Sequence, residues 1–209
     1  MCRNIRKGYF VVKNPLIICE SWRWDENTDE LIDITADPHK KYPASSYDAK
    51  VQVYESRVRE WFLDIASNYV NSGENPSDYL ALSIALSYIE GVEQYRRGIS
   101  TPQRKSGEWF KNSAKRIFPT SSESAINRLW KECRCGLFHS GFTDGRIYLS
   151  HGYDQPIAIV GADLQVNPKF FIEAVCNDFT NYVDSLHSKK DAGLMDNFVK
   201  LWDHRWENS

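Results

Sequence analysis

Leu80, Ala81, Leu82, Ile84, Ala85, Leu86 and Ile89 lie in a stretch opened by Pro76 and closed by Gly98, and they are apolar on nearly every face of a helix. A helix with no polar face cannot lie on a protein surface. It must be surrounded, so this stretch predicts a central buried helix over 76–97 and neighbours that enclose it. The neighbours are readable. Val51, Tyr54, Val58, Trp61, Phe62, Ile65 and Tyr69 recur at helical spacing until Asn71-Ser72-Gly73 ends the run. A third helix carries Trp109, Phe110, Ala114 and Ile117 up to the break at Phe118-Pro119, and Ser121 to Ser124 can cap a fourth. Asn167-Pro168 pairs a capping side chain with proline at the first helical position, ahead of an apolar stripe from Phe171 to Leu186. Leu194, Phe198, Leu201, Trp202 and Trp206 indicate a final helix.

Two regions depart from this period. Within residues 1–45, Tyr9-Phe10-Val11-Val12 and Leu16-Ile17-Ile18-Cys19 are short β-prone runs, and Trp22 and Trp24 alternate with charge before an acidic turn, which predicts a strand-rich appendage with exposed tryptophans. Pro38 to Ser46 then reads as a connector. At about 145–166, Arg146 to Leu149 and Pro156 to Val160 flank a glycine-containing turn, with Leu164 to Val166 a possible third strand, and predict a β-hairpin inserted between helices. The expected fold class is therefore mainly α: a helical domain over 46–209 with a β-hairpin insertion and a small strand-rich N-terminal segment. At 209 residues, with 42% hydrophobic and 13% aromatic side chains, the chain has enough apolar material for a full core. The formal charge of −2 means that any polyanion site must be a local patch. Five cysteines, an odd number without a signal peptide, predict reduced thiols in a cytoplasmic protein, and no apolar run suits a membrane span.

The clearest lead to chemistry is the run Arg134-Cys135-Gly136-Leu137-Phe138-His139-Ser140-Gly141 at the end of the fourth helix. Arginine is a permanent cation whose planar fork suits phosphate oxygens, and histidine exchanges a proton near neutral pH. On an unbroken helix five residues advance about 500°, so the two side chains stand roughly 140° apart. They can meet if the helix loosens at Gly136, if Arg134 reaches around, or if a second subunit supplies the other half of the site.

This Arg-x4-His run, flanked by Cys-Gly and Ser-Gly at the end of an apolar helix, resembles the HEPN superfamily. The resemblance covers about residues 47–187. It implies a helical bundle, homodimerisation and metal-independent RNA cleavage at an Arg/His site, without a cofactor, in a defence, toxin or stress-response setting where a cognate inhibitor or partner protein is common. Carried over, Arg134 and His139 are the catalytic pair. Cys135 stands where many catalytic members have a polar residue such as Asn, and Gly141 stands where the members regulated by nucleotide addition have a tyrosine.

Further candidates surround the pair. Glu90 is the lone acid in the middle of the apolar helix, and a buried carboxylate needs a partner, for which Arg134 is the candidate. Ser140 and Tyr148 are candidates for substrate contact. Arg96, Arg97, Arg104, Lys105, Lys111, Lys115 and Arg116 set seven cations against the single Glu108, which suits either an RNA-binding patch or an ordinary solvated helix face. The interleaved Trp109 and Phe110 are expected in the core. Cys133-x-Cys135-x3-His139 is poor zinc spacing, because the two cysteines diverge by about 200° on a helix, so no metal site is expected. The sequence therefore predicts a metal-independent endoribonuclease. The alternatives are a catalytically silent module that binds RNA, nucleotide or a protein, and a purely structural dimerisation domain.

Overall fold

A computed structural model describes residues 16–72 and 75–207. The strands β1 (Leu16–Ile17), β2 (Trp22–Asp25), β3 (Glu30–Asp33) and β4 (Lys40–Pro43) form an antiparallel meander. Tyr9 to Val12, read as a strand, lies outside the described residues. The connector expected at 38–46 instead contains β4, which pairs Lys40 with Asp33 and Pro43 with Glu30. Trp22 and Trp24 are buried rather than exposed, at 3% each. The cause is non-local: Trp24 packs edge-on against Trp206, 5.2 Å away, near the other end of the chain. The meander thus shares one apolar core with the helices.

The first long helix is interrupted. α1 (Tyr47–Val58) passes through a π segment (Arg59–Leu63) into α2 (Asp64–Asn71), and the Asp64 amide donates to the Arg59 carbonyl five residues back. α3 (Asn75–Arg97) is the central helix, and Ala81, Leu82, Ala85, Leu86, Ile89 and Val92 are at most 1% exposed. Gly98 closes it at φ +68°, in the left-handed region that glycine adopts without strain. Leu80 is an exception to the expected burial. It is 46% exposed, and its neighbour Tyr79 is 42% exposed, because their face of the first turns is left uncovered.

α4 (Ser106–Ile117) places Trp109 and Phe110 in the core. α5 (Glu123–Arg128) starts at Ser122, whose hydroxyl accepts from the Ala125 amide, and continues through a second π segment (Leu129–Arg134) into α6 (Cys135–Ser140). The inserted β region is not a simple hairpin. β6 (Ile157–Val160) and β7 (Asp163–Val166) form a hairpin, but β5 (Ile147–Leu149) pairs with β7 in parallel, giving a three-stranded sheet in the order β5-β7-β6. α7 (Pro168–Ser188) begins as its cap predicts, the Asn167 side chain accepting from the Phe170 amide, and α8 (Ala192–Glu207) follows. The described chain is mainly α, with two small sheets. None of its helices is long and apolar enough to cross a membrane.

Candidate functional site

Arg134 is the last residue of the second π segment, where the Cys135 amide donates to the Trp130 carbonyl, five residues back. Its guanidinium is held on three sides. Nη2 donates to Glu90 Oε2 at 3.2 Å, and the charge lies over the rings of Trp130 at 5.0 Å and Phe138 at 4.8 Å. The two rings are four residues to either side of Arg134, so they share its face of the helix. The ion pair is half-sheltered, with Arg134 22% and Glu90 13% exposed. Trp130 and Phe138 are not among the candidates that sequence reasoning singles out, although their four-residue spacing from Arg134 is a readable signal.

Gly136 does not loosen the helix. Instead, the chain after α6 folds back across it: a Cβ at Gly136 would lie 2.6 Å from the Phe142 carbonyl oxygen and 2.9 Å from the Asp144 nitrogen. That close approach lets the Asp144 amide donate to the Glu132 carbonyl at 2.8 Å. Gly141 ends α6 at φ +73°, its amide donating to the Leu137 carbonyl. His139 and Ser140 are exposed in this last turn, and their side chains have no hydrogen bond or ion pair among the described residues. Within one chain, then, Arg134 is fixed beside Glu90 while His139 faces solvent. Tyr148 is also exposed, at 47%.

Burial pushes the Cys133 thiol up to about 12, and burial also raises that of Cys135 against the opposing pull of Arg134. No group of three His, Cys, Asp or Glu side chains is placed to hold a metal among the described residues.

The seven cations predicted as a patch do not form one open face. Arg116 donates to Glu93 and Asp178, at 2.9 Å each, in a buried network to which Tyr88 adds its hydroxyl hydrogen bond to Asp178. Arg96 lies 3.8 Å from Asp178 and over the Tyr182 ring, and Arg97 binds Glu93 at 2.6 Å while lying over Trp109. Lys105 pairs with Glu108 and Lys115 with Glu123. Only Arg104 and Lys111 of the seven have no ion pair among the described residues.

Apolar side chains are exposed beside the motif. Phe138 is 48% exposed, and Phe142, 77% exposed, leaves with Tyr79 and Leu80 an uncovered apolar area where the start of α3 meets the end of α6. A cavity of ≈ 560 Å³ lies in it, lined by Tyr79, Leu80, Ser83, Leu137 and Phe142 among others. Comparisons of the chain with family models, with curated proteins and with solved structures give no match.

Proposed function

We propose that the chain is a HEPN-like, metal-independent endoribonuclease that acts as a homodimer. The observation that carries this reading is the immobilised Arg134, clamped by Glu90 and two aromatic rings one turn before an exposed His139. Such an arginine is fixed before substrate arrives, which is what stabilising a pentacoordinate phosphorus transition state requires. His139 acts as general base on the ribose 2′-hydroxyl or protonates the leaving 5′-oxygen. The products are a 2′,3′-cyclic phosphate and a 5′-hydroxyl, and DNA, lacking the 2′-hydroxyl, is not cut. The exposed Tyr79, Leu80 and Phe142 support the dimer, since an apolar area next to a half-assembled site is the surface a second copy would cover. The setting, defence or stress response with a cognate inhibitor, rests on the family resemblance.

The test is cleavage of a pool of structured and single-stranded RNAs in EDTA by wild type, Arg134→Ala and His139→Ala, with product ends mapped and oligomeric state measured by sedimentation. Cyclic-phosphate ends lost in both variants support the reading. A second reading, a silent RNA- or protein-binding module, is favoured by one observation: in a single chain Arg134 is engaged by Glu90 and is not in contact with His139. An intact dimer that protects RNA without cutting it establishes that reading in place of the first.

A further inference from the structure

Gly107 stands in the first turn of α4, where glycine is a poor helix former and its backbone has no positive φ to explain it. What explains it is space. A Cβ at Gly107 would lie 3.0 Å from Nε1 and Cε2 of the Trp130 indole and 3.2 Å from Cζ2. Non-bonded carbon atoms pack best at about 3.5–4.0 Å, so any side chain at this position pushes the indole aside.

Trp130 has little else to fix it. Its indole N–H makes no hydrogen bond among the described residues, so the ring stands where packing puts it. It lies against Gly107, against the fully buried Phe110 ring at 5.2 Å, and beneath the Arg134 guanidinium at 5.0 Å. Of the two rings on Arg134, this is the one backed by the core, since Phe138 is 48% exposed. The position of the arginine is therefore tied, through one ring, to the surface of another helix.

We propose that Gly107 is a positioning residue for Arg134, acting through Trp130. By leaving α4 without a side chain at the contact, it sets how closely the indole seats on that helix and so where the guanidinium stands. The inference rests on the reading of Arg134 as the group that stabilises the transition state of RNA cleavage. A misplacement of about 1 Å can lower a rate by about a hundredfold, so a shift of a few tenths of an ångström is felt several-fold.

The test compares wild type, Gly107→Ala, Trp130→Phe and the double variant of the full-length chain. Two readouts are taken: kcat and KM for RNA cleavage, and the NMR resonance of the Arg134 Nε–Hε group, which the ring current of the indole shifts. Alanine is the better helix former, so Gly107→Ala keeps or raises the melting temperature while kcat falls by about threefold to tenfold and KM stays constant. The Arg134 resonance moves with it. Phenylalanine at position 130 is smaller and leaves room for the methyl group, so on that background Gly107→Ala changes neither readout further, a non-additivity that a purely structural glycine would not give. Gly107→Val, being larger than alanine, gives the larger loss. If wild type cuts no RNA, the proposed activity falls, and the Arg134 resonance in the same four proteins decides the role of Gly107 by itself. An unmoved resonance in folded Gly107→Ala, an unchanged kcat in a chain that does cut RNA, or the same loss repeated on the Trp130→Phe background would each overturn the proposal.

Discussion

Glu90 and Glu93 stand one helical turn apart on α3, and each receives an arginine from another helix, yet the two pairs are built differently. Glu93 is 8% exposed and is bound by Arg97, Arg116 and the Ser113 hydroxyl, while Arg116 also reaches Asp178. The lone pairs of these carboxylates are largely occupied by protein donors. Glu90 meets Arg134 through one hydrogen bond of 3.2 Å, Arg134 also hydrogen-bonds the Cys135 side chain, and the rings of Trp130 and Phe138 lie against it without occupying its N–H groups. The difference separates charge that holds helices together from charge kept available. A closed network satisfies buried groups and has nothing left for a ligand, whereas an arginine with one carboxylate and two ring faces is fixed in place with donors to spare.

The largest expected effect falls on the closed network. Arg116→Ala leaves Glu93 and Asp178 buried without their shared cation and lowers unfolding free energy by about 3 kcal/mol, at the low end for a broken buried pair because Arg116 is itself partly open. Urea unfolding with an unchanged m-value checks this, and a loss under about 1 kcal/mol would show the network to be no more structural than a surface pair. The network also sets a pH dependence. Burial alone would raise the Glu93 carboxyl, but the hydrogen bonds from Arg97, Arg116 and Ser113 outweigh it and hold Glu93 below its ordinary value of 4.5. A depressed folded value means that this stabilisation is complete above pH 4.5 and is lost as pH falls through the lower, folded value. Glu93→Gln should therefore flatten the acid limb of the stability curve, measured by thermal melts across that range.

Next in size is Gly136→Ala, which sharpens the reading of the motif itself. Its Cβ would lie 2.6 Å from the Phe142 carbonyl oxygen, a backbone atom with little room to move, and overpacking of that kind costs about 1–3 kcal/mol. The expected signature is faster amide exchange at Asp144, whose amide is bonded to the Glu132 carbonyl across the gap. Unchanged exchange there would mean that the loop does not need the glycine. On this account, part of the Arg-Cys-Gly-Leu-Phe-His run serves the loop rather than the chemistry.

The parts of the fold that depend on near neighbours were legible in the sequence, and the parts that depend on distant ones were not. The caps at Ser122 and Asn167-Pro168 and the helix stop at Gly98 are local chemistry and occur where the sequence indicates. Burial of Trp24 depends on Trp206, the parallel pairing of β5 with β7 on a crossover, and neutralisation of Arg116 on Glu93 and Asp178, which a linear charge count cannot see. The π segments were invisible because one extra residue per turn leaves an apolar stripe almost intact while rotating the helix beyond it. At the site, the expected partnership of Glu90 with Arg134 matches their 3.2 Å hydrogen bond, but Glu90 is not the lone acid of its helix, and the more buried Glu93, three residues on, was passed over. Helix geometry left open whether Arg134 and His139 meet within one chain, and the two rings that hold the arginine were overlooked although their four-residue spacing from it was readable.

Glu90→Gln probes the open pair most directly. It keeps an acceptor for Arg134 but removes the charge, so about 1 kcal/mol of stability is expected to go, the size of one net hydrogen bond. If Arg134 works on phosphate, cleavage falls by about tenfold to a hundredfold as the guanidinium loses its fixed position, with the loss in kcat rather than KM. A stability loss as large as that of Arg116→Ala would erase the distinction between the two pairs.

His139→Ala is expected to have the smallest effect on folding and for that reason is the most informative about function. The side chain is exposed and bonds to nothing among the described residues, so unfolding free energy should stay within about 0.5 kcal/mol of wild type. A residue without a structural role, one turn beyond a clamped arginine, leaves little else to explain a lost activity. Abolished RNA cleavage with an unchanged melting curve therefore assigns His139 to the chemistry alone. A destabilised His139→Ala would instead mean that the histidine is buried in the protein as it exists in solution, and a loss confined to the dimeric fraction would place it in the interface of two copies.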